Sequence, residues 1–250
     1  MTPLEGAAIL GAGLAAGTIN TIVGAGSLIT FPTLLAFGYA PIVANVSNTV
    51  GLVPGSISGA IGYRRELVGQ RARAVPIGVA SLLGGLTGGI LLLVLPPSAF
   101  QRIVPVLILG ACLLVALQPR ISRALATRGG GAAGHSLVLL GAVYLTGIYG
   151  GYFGAAQGVL LIALLGIFLS DDLQRLTGLK NVLQVLVNGI AALLFIVVAP
   201  VAWEAALLIA IGSIIGGQLG ARVGRRLSPV VLRVLIIIVG TVVAVKLLVG

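Results

Sequence analysis

Gly24-Ala25-Gly26-Ser27 and Gly154-Ala155-Ala156-Gln157 each interrupt a long apolar stretch near its middle with small residues and one polar side chain. A helix break inside a membrane frees backbone groups, which lipid tolerates only where protein buries them or they line a cavity. The helix that restarts after a break directs free N–H groups and about half a positive charge at its surroundings. Such an end accepts an anion even without a neighbouring Lys or Arg. Glycine lets a ligand approach the backbone, and Ser27 or Gln157 adds a donor. Asn20 and Thr21 precede the first break; Tyr149 and Tyr152 precede the second. The chemistry on offer is recognition of a small anion rather than bond making. The competing reading is that the glycines serve only a tight turn, and two matching breaks flanked by polar side chains weigh against it.

The segment after each break is polar at its start. One offers Asn45, Ser47, Asn48 and Thr49; the other offers Thr177, Lys180, Asn181, Gln184 and Asn188. Asn181, Gln184 and Asn188 step by three and four and so share a helix face. Such a stripe serves either as interhelical glue or as ligand contact. Lys180 either reaches a bound anion or snorkels to the cytoplasm, and snorkelling is the expectation. Asn20, Thr21, Gly24, Gly26, Ser27, Asn48, Tyr152, Gly154, Gln157, Lys180 and Asn181 form the candidate substrate-binding set, with no catalytic residue, metal ligand or cofactor implied.

The elements that must hold these residues are membrane helices. Of 250 residues, 58% are hydrophobic and only 8% are charged, and the mean hydropathy is +1.20. Soluble domains carry about 25% charged residues. Apolar runs of spanning length recur, whereas the alternating ten-residue pattern of a barrel is absent. The expected fold is an all-α integral membrane protein. The first run starts at Pro3 without a basic leader or cleavage site and reads as a retained element. The net charge of +10 comes from residues between apolar runs, which fits cytoplasmic anchoring rather than nucleic acid. Cys112 lies in an apolar run and is expected to be buried and inert. The 38 glycines mostly suit close helix packing, as in Gly84-Gly85 with Gly88-Gly89 and Gly216-Gly217 with Gly220.

The second half repeats the first. Ser81-Leu-Leu-Gly-Gly matches Ser213-Ile-Ile-Gly-Gly, Pro97 matches Pro229, Asn48 matches Asn181 and Ile57 matches Ile190. One drifting register over about a hundred residues indicates duplication. Repeat 1 covers 1–118, with a long run at 4–38 and ordinary spans at 43–62, 74–95 and 100–117. A basic, glycine-rich linker covers 119–135. Repeat 2 covers 136–250, with a long run at 136–169 and spans at 177–199, 202–221 and 230–249.

Charge chooses the topology. If each long run crossed once, the two halves would be parallel, with basic residues divided almost evenly between the two sides. If each long run is a hairpin, the second half is inverted. Arg64, Arg65, Arg71, Arg73, Arg120, Arg123, Arg128, Arg175, Lys180, Arg222, Arg225, Arg226 and Arg233 then share the cytoplasmic side, against Arg102 and Lys246 outside. The positive-inside rule selects two inverted repeats, each a broken or hairpin helix plus three transmembrane helices. Both termini are expected on the outer side. Glu5, Glu66, Asp171, Asp172 and Glu204 all lie at the ends of apolar runs, away from mid-membrane where cation sites and proton relays need carboxylates. His135 stands beside the linker without the partners that metal ligation requires.

Over nearly its full length the chain resembles the TauE/SafE family of sulfite and organosulfonate exporters. The resemblance rests on Gly24-Ala25-Gly26 followed by Pro32, on Arg64-Arg65, and most strongly on Gly150-Gly151-Tyr152-Phe153-Gly154-Ala155-Ala156-Gln157-Gly158. Where the family often continues the first motif with glycines, this chain has Ser27 and Leu28. The resemblance implies transport of small sulfur-containing or carboxylate anions across the bacterial inner membrane. The expected mechanism is alternating access at a site between the two breaks, with export driven by the interior-negative potential. Coupled uptake, using Na⁺ at backbone carbonyls or H⁺, is the alternative. An intramembrane serine protease built on Ser27 and His135 is the remote one, because the counterpart of Ser27 is Gln157. The expected partners are the anion and the lipid bilayer, and a homodimer is left open.

Overall fold

A computed structural model describes residues 1–126 and 137–223, together with positions 234, 237, 238, 241, 242, 244 and 245. The span expected at 230–249 lies mostly outside the described residues, as do His135 and the linker beyond 126. The fold is all-helical: α1 Pro3–Ile22, α2 Ser27–Ala36, α3 Pro41–Gly62, α4 Arg71–Val94, α5 Pro97–Ala126, α6 Leu137–Tyr152, α7 Gln157–Phe168, α8 Leu173–Val198 and α9 Trp203–Val223.

Local chemistry starts these helices in expected ways. Thr2 and Glu5 form a reciprocal capping box ahead of Pro3, satisfying two otherwise free N–H groups. Pro41 occupies the first turn of α3, where its missing N–H costs nothing. Asp172 accepts from the Gln174 N–H at the start of α8. The two breaks end their helices alike. Val23 and Gly24 both donate to Ile19 O, and Phe153 and Gly154 both donate to Tyr149 O. Gly24 (φ 82°) and Gly154 (φ 74°) take the left-handed conformation that stops a helix.

Among the described residues, four helices are long and apolar enough to cross a membrane: Arg71–Val94, Pro97–Leu117, Leu173–Val198 and Trp203–Val223. Helices α1 and α3 have 20 and 22 residues, and α3 turns Asn45, Ser47, Asn48 and Ser56 into the protein. Helices α2 and α7, at 10 and 12 residues, rise only about 15–18 Å. Helix α5 continues past 117 to Ala126, running through Pro119 although a proline inside a helix removes one backbone hydrogen bond. The chain is a multi-pass membrane protein.

Glycines fix how the helices meet. A Cβ on Gly84 would lie 2.2 Å from Tyr144 O, and one on Gly88 would lie 2.0 Å from Ile148 O. At the other side of the molecule, Gly216 faces Leu14 O at 2.1 Å and Gly220 faces Thr18 O at 2.7 Å. Thus α6 lies on α4 as α1 lies on α9, in the register of the sequence repeat. Such backbone-to-backbone contact requires the absence of a side chain.

The same contacts give direction. Gly13 and Gly51 both face Ile209, Gly17 and Gly55 both face Ser213, and Gly217 faces Gly55 and Gly59. Helices α1, α3 and α9 therefore run one way. Gly85 faces Val187 and Gly151, and Gly89 faces Ala191, so α4, α6 and α8 run together. Gly178 near the start of α8 lies against Tyr63 and Glu66 at the end of α3, while Ala202 beyond its end donates to Ser47 Oγ near the start of α3. Helices α3 and α8 are antiparallel. Since α1 and α3 are parallel and only α2 with two short turns separates them, α2 must turn back along α1.

Where α3 and α9 end, Gly62, Arg64, Arg65, Gln218, Ala221 and Arg222 line a cleft of about 400 Å³. At the same end Asp171 pairs with Arg73 and, at 2.9 Å, with Arg175, tying the turn before α8 to α4. Burial of the Asp171 carboxyl opposes its ionisation, but hydrogen bonds from Arg73 and Arg175 outweigh this and hold it below the usual carboxylate range. With a folded value below the unfolded one of about 3.9, its stabilisation is full above that pH and is lost as pH falls through the folded value. Asp171→Asn is expected to cost about 1 kcal/mol at pH 7. Thermal unfolding should show that gap closing below about pH 4; a gap independent of pH would contradict the ion pair.

At the opposite end, a second pocket of about 440 Å³ is apolar, formed by Ala40–Val43, Leu92, Leu93, Leu95, Pro97, Gln101 and Val198–Pro200.

Candidate functional site

The two breaks meet. Gly158 N–H donates to Gly24 O at 3.1 Å, and a Cβ on Gly24 would stand 2.3 Å from Gly158 Cα. Side chains larger than hydrogen are excluded from both sides of this contact. Gly26 is equally confined, with Ala16 O 2.5 Å from its absent Cβ. The second break carries backbone strain as well: Ala156, immediately before α7, has φ 58°, a conformation costing a non-glycine residue about 1–2 kcal/mol. It is held by Tyr149, whose hydroxyl donates to Ala155 O. Phe153 in turn packs edge-on to Phe31, ring centroids 5.2 Å apart, and lies 6.1 Å from Phe100. These rings fill the space between the breaks and the end where α5 begins.

Lys180 departs from expectation. It does not snorkel to the cytoplasm: it is 0% exposed, and Nζ donates to Asn20 O at 2.9 Å and Thr21 O at 3.1 Å. The last carbonyls of α1 have no helical donor, and the ammonium supplies one at the negative end of the helix dipole. The stem lies along the second break, since a Cβ on Gly158 would be 3.0 Å from Lys180 Cδ. Lys180 is also the one charged side chain that is buried among the described residues. Among the described residues no ion pair involves it.

The N–H groups at the restarting helices are not left open as the sequence suggested. Gln157 donates to Gly154 O, Gly158 to Gly24 O and Val159 to Ala156 O, while Gly26 N reaches Asn20 Oδ1 at 3.4 Å. Ser27 and Asn48 also satisfy one another: Asn48 Nδ2 donates to Ser27 Oγ at 3.1 Å, and Thr30 donates to Asn48 Oδ1. Asn20 holds Ser56 through Nδ2 and accepts from Gln184 Nε2 at 3.2 Å. Thr21 bonds back to Gly17 O.

What remains unpaired is a set of side chains. Among the described residues, both amide atoms of Gln157 are buried without a partner, as are Asn181 Nδ2, Gln184 Oε1, Asn45 Oδ1 and the Tyr152 hydroxyl oxygen. For Gln157 this holds whichever way the amide is turned. Its side chain lies on the bare backbone of Gly150, where a Cβ would be 2.4 Å from Gln157 Cδ. A buried unpaired polar group costs about 1–3 kcal/mol, and such groups are normally satisfied. A polar guest arriving between the breaks would meet these groups.

Gln184 and Asn45 lie outside the candidate set drawn from the sequence. Their signal was present in the polar starts of α3 and α8, but glue and ligand contact look alike in one dimension. Gly158 gave no signal beyond the motif itself.

Comparison with known proteins points to membrane transporters. The family model described as "Sulfite exporter TauE/SafE" matches residues 9–247. "Probable membrane transporter protein YfcA" of Escherichia coli strain K12 is 28% identical over 234 residues, covering 93% of this chain and 86% of its own. "Probable membrane transporter protein ORF9" of a Sinorhizobium species is 26% identical over 238 residues, covering 93% and 88%. "Probable membrane transporter protein" of Haemophilus influenzae Rd is 24% identical over 237 residues, covering 94% and 91%. No solved structure matches the chain.

Proposed function

The chain belongs to the TauE/SafE family of membrane transporters, and from that premise we propose that it exports a small oxyanion, sulfite or an organosulfonate, from a bacterial cell. The observation that carries this reading is the buried set of unpaired amides where the two breaks touch. Gln157 Nε2 and Asn181 Nδ2 are donors in want of an acceptor, and among the described residues no ion pair involves the buried Lys180. Donors fixed before the ligand arrives replace part of its hydration shell without further ordering cost. Among the candidate residues, Gln157, Asn181 and Tyr152 have atoms free for a ligand, whereas Ser27, Asn48, Asn20 and Thr21 hold the breaks in place.

Transport proceeds by alternating access between two inverted repeats, 1–118 and 136–250. Supporting this are the antiparallel course of the equivalent helices α3 and α8 and the matched pairs α1 on α9 and α6 on α4. A basic cleft at one end and an apolar pocket at the other are starting points for the two vestibules. The positive-inside rule makes the arginine-lined end cytoplasmic in the inner membrane. Export then moves an anion down an interior-negative potential, which contributes about 2.3 kcal/mol per charge per 100 mV.

The serine protease reading is set aside: the family and its relatives are transporters, and the Ser27 hydroxyl is occupied by Asn48.

Proteoliposomes test the proposal. Labelled sulfite or sulfoacetate should exchange saturably and leave faster when the compartment holding it is made negative. Selective exchange of carboxylates alone, or uptake with a strict Na⁺ or proton requirement, would overturn it.

A further inference from the structure

Helix α1 ends inside the protein at Ile22, and its C-terminal carbonyls are shared out unequally. Ile19 O receives two backbone donors, from Val23 and Gly24. Asn20 O and Thr21 O instead receive the Lys180 ammonium, at 2.9 and 3.1 Å. Two adjacent carbonyls at the negative end of a broken helix form the kind of place where membrane transporters hold a monovalent cation. Here the donor is an amino group, and it is covalently attached to α8.

The counterpart end shows that this is a choice of residue and not a requirement of the break. Ser47, which matches Lys180 in the register that pairs Asn48 with Asn181, accepts the Ala202 N–H, Asn48 turns to Ser27 and Thr30, and α6 ends with Asn45 Nδ2 on Tyr152 O at 3.0 Å. A neutral amide suffices to hold that break. Among the described residues no ion pair involves Lys180, and Asn20, Thr21, Asn181 and Gln184 are buried polar side chains beside it.

We propose that the Lys180 ammonium is a tethered cation filling a monovalent-cation site made by Asn20 O and Thr21 O. The native chain then needs no alkali ion to hold its breaks together, and neutralising Lys180 turns this position into a Na⁺ site. The inference concerns the cation at the break and is independent of which anion is carried.

The test uses the full chain in detergent without transport substrate, so its outcome does not depend on the export reading. Thermal unfolding of the native protein should be the same in NaCl and in choline chloride at equal ionic strength. Lys180→Ala should unfold several degrees lower in choline and recover a substantial part of the loss in NaCl, saturably, with choline inert. Lys180→Gln, which keeps a donor but no charge, should show a weaker Na⁺ response. Specific stabilisation of the native chain by Na⁺ would overturn the proposal. So would a Lys180→Ala chain that responds equally to both salts, or that fails to fold in NaCl as in choline.

Discussion

Gly24→Ala should be among the most damaging single-methyl changes in the protein, lowering stability by about 2–5 kcal/mol. Two costs combine. A Cβ at φ 82° carries about 1–2 kcal/mol of left-handed strain. The same Cβ arrives 2.3 Å from Gly158 Cα, and overpacking against backbone costs about 1–3 kcal/mol. Gly38→Ala separates the two terms, because Gly38 has the same φ of 82° but nothing within 4 Å of its absent Cβ. Gly158→Ala approaches from the other side: its helical backbone accepts alanine, yet the methyl would stand 2.4 Å from Gly24 Cα. The order of thermal unfolding temperatures in detergent should be native above Gly38→Ala, with Gly24→Ala lowest. Transport should fall in Gly24→Ala and Gly158→Ala alone. Equal effects of Gly24→Ala and Gly38→Ala would mean that the two breaks do not press on each other.

That contact marks the boundary of what the sequence made legible. The membrane class, the family and the helical fold class could be read because each rests on composition, on motifs or on local backbone chemistry. The special status of Gly24 and Gly154 was visible for the same reason. What could not be read is where the freed groups go. Lys180 looked like a cytoplasmic anchor because its run starts at a membrane edge; only the arrival of α1 with two spare carbonyls makes the interior the better place for its charge. Ser27 and Asn48 looked like ligand contacts, but across a distance of 21 residues they satisfy each other. Glycine stripes announced close packing without saying against what, since Gly84 meeting Tyr144 and Gly216 meeting Leu14 are facts of tertiary register.

Gln157 supplies the sharpest separation of function from stability. In an ordinary core a glutamine whose amide has no partner is a defect, and replacing it with an apolar side chain of similar shape removes a cost of about 1–3 kcal/mol. Gln157 is 0% exposed, and neither amide atom has a partner among the described residues. Gln157→Met, which keeps the unbranched shape laid along Gly150, should therefore leave unfolding temperature unchanged or raise it. If the amide instead meets the transported anion, the same variant loses a hydrogen bond to a charged group worth about 1.5–3 kcal/mol, so anion exchange should weaken about tenfold to a hundredfold. Gln157→Glu should abolish exchange, because it sets a carboxylate against the ligand's own charge, where like charges in a desolvated site repel strongly. Equilibrium binding by calorimetry and exchange in proteoliposomes, measured beside thermal unfolding, read the two effects separately. A Met variant that is stable and exchanges normally would remove Gln157 from the site, while one that unfolds early would show the amide to be a structural bond. A stable variant that no longer recognises the anion is the outcome that only a ligand-facing glutamine produces.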